Sequence, residues 1–224
     1  MTDSSSGSNS NLTAGSPSGP DPDPIADAVR YLKRKGKAPD TGEVIDALLQ
    51  VEKAKKHDRQ HYDYEQLIGR WRLGFVSGTR KMQPRPGASA VTTLGKGRFI
   101  PRFVRIAIAY EPLLEGDPED AQKEDGGHVT NSVTLGPIKL RLDGPTQFWQ
   151  KTNSLGFDFT TLKVNLGSWS AYNGGLRGGS ERDATFKEQT LKDQAFFTFF
   201  LVEPDYIAAR GKGGGLALWV RDQH

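Results

Sequence analysis

A chain of 224 residues with a hydrophobic content of 35% and a net charge of +3 has room for one sizeable domain and a smaller annex. Its mean hydropathy of −0.58 and the absence of any apolar run near the roughly eighteen residues of a membrane helix exclude a helical membrane span. The absence of cysteine excludes disulfides, thiolate catalysis and cysteine-ligated zinc or iron–sulfur centres.

Residues 1–23 are mostly Ser, Gly, Asn, Pro and Asp and can bury almost nothing, so they read as a disordered tail. They lack the basic start and apolar centre of a secretory signal and the arginines of a transit peptide, which points to a cytoplasmic protein or one peripheral to a membrane. Asp3, Asp21 and Asp23 stand there without a Lys or Arg, so the remainder carries +6. That excess is too mild to indicate nucleic acid, and it allows attraction to an anionic membrane surface.

Residues 24–62 read as a helical annex. Asp23 can cap a helix that opens on Pro24, with Ile25, Val29 and Leu32 on one face. Lys33, Arg34 and Lys35 suit its C-terminal dipole and form a candidate membrane contact, and Gly36 stops it. Asp40 and Glu43 match a capping box ahead of the stripe Val44, Leu48 and Val51. The pair His57 and His61 has zinc-site spacing, but no third ligand is near in sequence, so no metal site is expected. Asp63 with Gln66 suggests a short third helix ending at Gly69.

From Arg70 onwards strand follows strand, which places an all-β domain over residues 63–224. Trp71, Leu73 and Phe75 alternate with Arg70, Arg72 and Gly74, the period of a half-buried strand. Val104–Tyr110, Val129–Leu135 and Ile138–Leu142 alternate in the same way, and Gly136-Pro137 makes a tight turn between the last two. Asp143-Gly144-Pro145 reads as a second turn before Thr146–Gln150. Phe157–Leu166, Trp169–Tyr172, Ala195–Val202, Tyr206–Arg210 and Leu216–Arg221 complete the series. Residues 112–127 and 173–193 read as mobile surface loops. The fold class is mainly β, an antiparallel lipocalin-like β-barrel with an N-terminal α-helical annex.

The helix running into Gly69-Arg-Trp71-Arg-Leu73 and the closing run from Asp205 through Arg210-Gly211 to Val220 resemble the plastid lipid-associated proteins, or fibrillins, of plastids and cyanobacteria. His128-Val-Thr-Asn-Ser-Val adds an internal strand of the same kind. Ile207 stands where the closing motif has Arg, and Phe75 where the opening strand has Tyr. The resemblance implies a non-enzymatic barrel that binds carotenoids, prenylquinones or acyl lipids, peripheral to a thylakoid membrane. A bilin lyase uses the same barrel type, and a scaffold binding an acidic protein is the third reading.

No cofactor of catalysis is expected, for the chain has no Gly-x-Ser-x-Gly elbow and only four histidines. Candidate ligand-wall residues are Phe148, Phe157, Phe159, Phe197 and Phe199, with Arg210 as a grip for a polar head or a partner for Asp205. Phe197 and Phe199 share one face of their strand, and Thr198 marks the other as wetter. Gly69, Trp71, Asp205 and Gly211 read as structural, with Trp71 in a plug at the closed end of the barrel.

Overall fold

A computed structural model describes residues 23–85, 88–112, 126–176 and 178–222. The expected disordered tail and most of the expected acidic loop at 112–127 lie outside the described residues. Helices α1 (Pro24–Leu32) and α2 (Thr41–His57) and the single turn α3 (Tyr64–Leu67) precede the strands. Asp23 accepts from the backbone N–H of Ile25 and Ala26, and Asp40 from Gly42 and Glu43, so both larger helices begin on the caps expected of them. Gln66 accepts from the N–H of Asp63 at 2.9 Å at the start of α3.

The strands are β1 (Gly69–Arg85), β2 (Ala88–Phe99), β3 (Val104–Pro112), β4 (Gly126–Leu135), β5 (Ile138–Trp149) and β6 (Ser154–Phe157). They continue with β7 (Thr161–Leu166), β8 (Trp169–Gly175), β9 (Ala195–Val202), β10 (Tyr206–Gly211) and β11 (Leu216–Arg221). Antiparallel pairing runs β4-β3-β1-β11-β10-β9-β6-β5, and β5 pairs back onto β4, so eight strands close a ring. That closure removes every sheet edge within the ring. β2 extends from the far end of β1, and β7 with β8 extends from the first half of β5.

Two cores follow from strand alternation. The inner one gathers Trp71, Ile108, Tyr110, Phe148, Leu155, Phe199, Ile207 and Trp219 with residues of α3. The outer one lies between the wall and the two long helices, where Ile25, Val29, Leu32, Val44 and Leu48 cover Phe75, Phe200, Ala208, Leu216 and Leu218. The run AFFTFFLV in β9 is apolar on both faces because it separates the two.

Three expectations change. Asp143-Gly144-Pro145 is no turn: β5 runs through it and changes partner there, from β7 (residues 138–143) to β6 (residues 146–149). The chain between β6 and β7 crosses at that point, with the Asp158 N–H donating to Pro145 O and the Thr160 N–H to Asp143 O. A Cβ on Gly144 would lie 2.1 Å from Asp158 O, so glycine allows the crossing, and the expected single strand Phe157–Leu166 is split in two by it. Phe75 does not share a face with Trp71 and Leu73, because a bulge between Leu73 and Phe75 turns it outward onto the helices. The segment 173–193 is not all loop. It contains α4 (Ser180–Thr185) and the fully buried Phe186.

Candidate functional site

The two ends of the ring differ. At one end α3 folds under the barrel and fills it. Trp71 is fully buried, its indole N–H donates to Leu67 O at 2.7 Å, and the Arg221 guanidinium lies 4.0 Å from the ring centroid. Arg221 also donates to Pro204 O at 2.6 Å and Ile68 O at 3.3 Å. Gly69, at φ +123, leaves the space that Arg221 occupies, since a Cβ there would lie 2.5 Å from its Nη1. Tyr64 Oη lies 3.0 Å from Glu111 O and 3.2 Å from Thr146 Oγ1. Burial pushes the Tyr64 phenol up to about 12, against the hydrogen bond from Thr146 and with the charges of Glu111 and Glu65.

Above this floor lies an aromatic chain. Phe157 stacks on Phe197 at 5.1 Å and meets Phe159 at 5.4 Å; Phe197 stands edge-on to Trp219 at 5.2 Å and to Phe199 at 6.4 Å. Four of the five expected ligand-wall phenylalanines therefore come together. The fifth, Phe148, sits lower, 6.3 Å from Tyr64. Tyr110 is fully buried among them, and its hydroxyl has no hydrogen-bond partner among the described residues. Burial raises that phenol well above its ordinary range.

At the other end the ring opens. Pairing between β1 and β3 stops at Arg72 and Ala107, while β3, β4 and β5 run on with β7 and β8 beside them. The face that carries Ile108 and Val129 into the inner core continues onto this flare. One cross-strand row is Ile106, Val133, Leu140, Val164 and Tyr172, and the next is Val104, Leu135, Ile138, Leu166 and Trp169. The opposite face carries Arg105, Thr134, Lys139 and Asn165, so the pattern is clean alternation, and among the described residues the outermost apolar row is left exposed. Leu135, Ile138 and Leu166 are 44%, 46% and 49% exposed, and Trp169 is 65% exposed.

Arg210 requires a correction. It points outward from β10, on the face of Ala208, and its guanidinium pairs with both oxygens of Glu52 on α2 and donates to Gly214 O. It is a bolt between helix and wall and is excluded from the interior by strand parity. Asp205 pairs with Lys33 at 2.7 Å, not with Arg210, and that contact holds the Asp205 carboxyl below its usual range. Lys33 is therefore engaged with the wall. Arg34 adopts φ +63 just past α1, and Lys35 is exposed. Gly211 ends β10, and the positive φ of the following turn falls on Gly214, at +83.

The basic residues of α2 border a cavity of about 540 Å³ against β9, lined by Lys55, Arg59, Lys151 and Phe200 among others. His61 Nδ1 lies 3.1 Å from Gln150 O, and among the described residues no group of three His, Asp or Glu is placed to hold a metal. None of the described helices is long and apolar enough to cross a membrane.

No family model and no curated protein sequence matches the chain. Among solved structures, a redesigned β-barrel aligns over 72% of this chain and 95% of its own length, at 12% identity and a TM-score of 0.29. The barrel assignment stands on the strand pairing itself.

Proposed function

We propose that the protein is a non-catalytic binding protein for an elongated apolar ligand of the carotenoid, prenylquinone or acyl-lipid class, taken up through the open end of the barrel. This is the role that the resemblance to the plastid lipid-associated proteins implies, peripheral to an anionic membrane. The observation that carries it is the pair of apolar rows on the flare, on the same face of β3 and β4 as Ile108 and Val129 of the inner core, with Leu135, Ile138, Leu166 and Trp169 exposed. Contiguous exposed apolar surface of this kind marks a binding surface in a water-soluble fold. Covering it is worth roughly 2.5 kcal/mol per 100 Å². A ligand that spans several of these side chains recovers more than a compact one, which favours a long hydrocarbon.

Native mass spectrometry of the purified protein, paired with solvent extraction, tests the reading directly. A stoichiometric carotenoid, quinone or acyl lipid is the expected result. Titration with decyl-plastoquinone should quench tryptophan fluorescence, and Trp169→Phe with Trp219→Phe should remove most of the quenching. Empty protein on extraction, with no quenching by quinone or fatty acid, would refute the proposal. A covalent bilin adduct would replace it with lyase chemistry.

A further inference from the structure

On the outer wall beside the open end, four guanidiniums from separate parts of the chain border one small cavity of about 130 Å³. Arg34 comes from the turn after α1, Arg72 from β1, Arg102 from the Pro101–Phe103 turn and Arg105 from the start of β3. Tyr31, Leu32 and Ile100 supply apolar walls. The volume is enough for several waters or a single tetrahedral oxyanion.

The charge at this spot is poorly balanced. Asp222 is the nearby carboxylate, and it is taken up by Arg105 at 2.8 Å and Arg70 at 3.0 Å. Among the described residues no salt bridge reaches Arg34, Arg72 or Arg102. Arg72 donates to Leu32 O at 2.6 Å, and Arg102 lies over the Tyr31 ring at 5.4 Å. Those contacts hold each side chain in place without neutralising it. Burial weakens the hold of Arg72 on its proton, and the charges of Arg105 and Arg34 do so further against Asp222. The three guanidiniums of Arg34, Arg72 and Arg102 repel one another beside the Arg105–Asp222 pair, and an anion of matching size would remove that cost while using planar donor forks suited to phosphate oxygens.

We infer that the pocket formed by Arg34, Arg72, Arg102 and Arg105 is a binding site for a phosphoryl group, carried either by a free phosphate compound or by a phosphomonoester lipid headgroup. The site is on the outside of the wall, so it does not depend on what the barrel interior holds. Its position beside the exposed Phe103 at the open end suits either source.

The test is calorimetric titration of the full chain with inorganic phosphate and with phenyl phosphate at low ionic strength, with chloride as the charge control. Saturable binding that chloride does not reproduce is expected. Arg34→Gln and Arg102→Gln each remove one donor fork from an exposed position and should weaken binding roughly tenfold, with melting temperature unchanged. Sedimentation with phosphatidylcholine vesicles containing phosphatidate, compared with phosphatidylglycerol at equal surface charge, separates the sources. Preference for phosphatidate, competed by inorganic phosphate, assigns a lipid headgroup. Phosphate binding without vesicle association assigns a soluble phosphate. Binding of neither, or binding by both variants as tight as that of the unsubstituted protein, would overturn the site; circular dichroism of each variant shows that it is folded.

Discussion

The two ends of the barrel are built from the same alternating strands and finish in opposite ways. At the floor, α3 brings Tyr64 and Leu67 under the ring, and every inward side chain there is buried. At the mouth no such element arrives among the described residues, and the same inward-facing pattern passes from half-buried at Ile106 and Val133 to exposed at Leu135, Leu166 and Trp169. An apolar face alone therefore does not define a core. Whether it becomes core or binding surface depends on whether another part of the chain is available to cover it.

The floor should be the stiffer and costlier end to damage. Trp71→Ala removes the largest fully buried side chain, its bond to Leu67 O and the seat of Arg221. A loss of about 3–5 kcal/mol is expected in urea denaturation. A loss below 1 kcal/mol would mean that the floor is not the anchor of the fold. Gly144, where β5 leaves the closed ring for the flare, comes next. Gly144→Ala places a methyl against Asp158 O and should cost about 1–3 kcal/mol, with broadened amide resonances confined to β5, β6 and β7.

Acid–base behaviour separates the ends further. The Tyr64 phenol is raised to about 12 from 10.0, so the folded state holds its proton more tightly than the unfolded chain. Stability from this group is complete below pH 10 and declines as pH rises from 10 towards 12. Tyr62, Tyr110 and Tyr206 are raised as well, so Tyr64→Phe should make that alkaline limb shallower in thermal melts without abolishing it, and an unchanged limb would show that Tyr64 does not contribute. The interior phenol of Tyr110 offers a smaller effect. Its unpartnered hydroxyl costs desolvation without return, so Tyr110→Phe should be neutral or stabilising by about 1 kcal/mol. Destabilisation would reveal a bound water or ligand group satisfying that oxygen.

Much of the helical annex, the start of β1 and β9 was legible in local sequence. The Asp23 and Asp40 caps, the Gly69 stop and the period of β9 each depend on residues a few positions apart. Phe197 and Phe199 could be assigned to one face by alternation, although which face was inward depended on helices elsewhere. What escaped local reading has a common physical cause. The bulge at Leu73–Phe75 shifts strand parity through hydrogen bonding to β11, far along the chain. Gly144-Pro145 has the composition of a turn, and only the crossing of Asp158 shows why a strand needs it. Arg210 finds Glu52, and Lys33 finds Asp205, across long sequence separations that no spacing rule reaches. β2 carries Gly95 and Gly97 within it, which hid it from the alternation test, yet Gly95 is required where its Cα meets Gly78.

The flare gives the smallest stability effect and the sharpest functional one. Leu166→Ser and Trp169→Ser alter side chains that already stand half or more in water, so each should change unfolding free energy by no more than about 0.5 kcal/mol. Their polar neighbours on the opposite face keep the strand pairs intact, because pairing of β7 with β8 uses backbone groups that neither substitution touches. Binding should respond differently. If the flare receives an apolar ligand, the double variant loses surface that only the complex buries, and quinone affinity should fall about tenfold or more for some 60–100 Å² of lost contact. Equal affinity in the variant would confine any ligand to the aromatic chain at Phe157 and Phe197. A large stability loss would make the flare part of the core, and the difference between the two ends would then be one of degree.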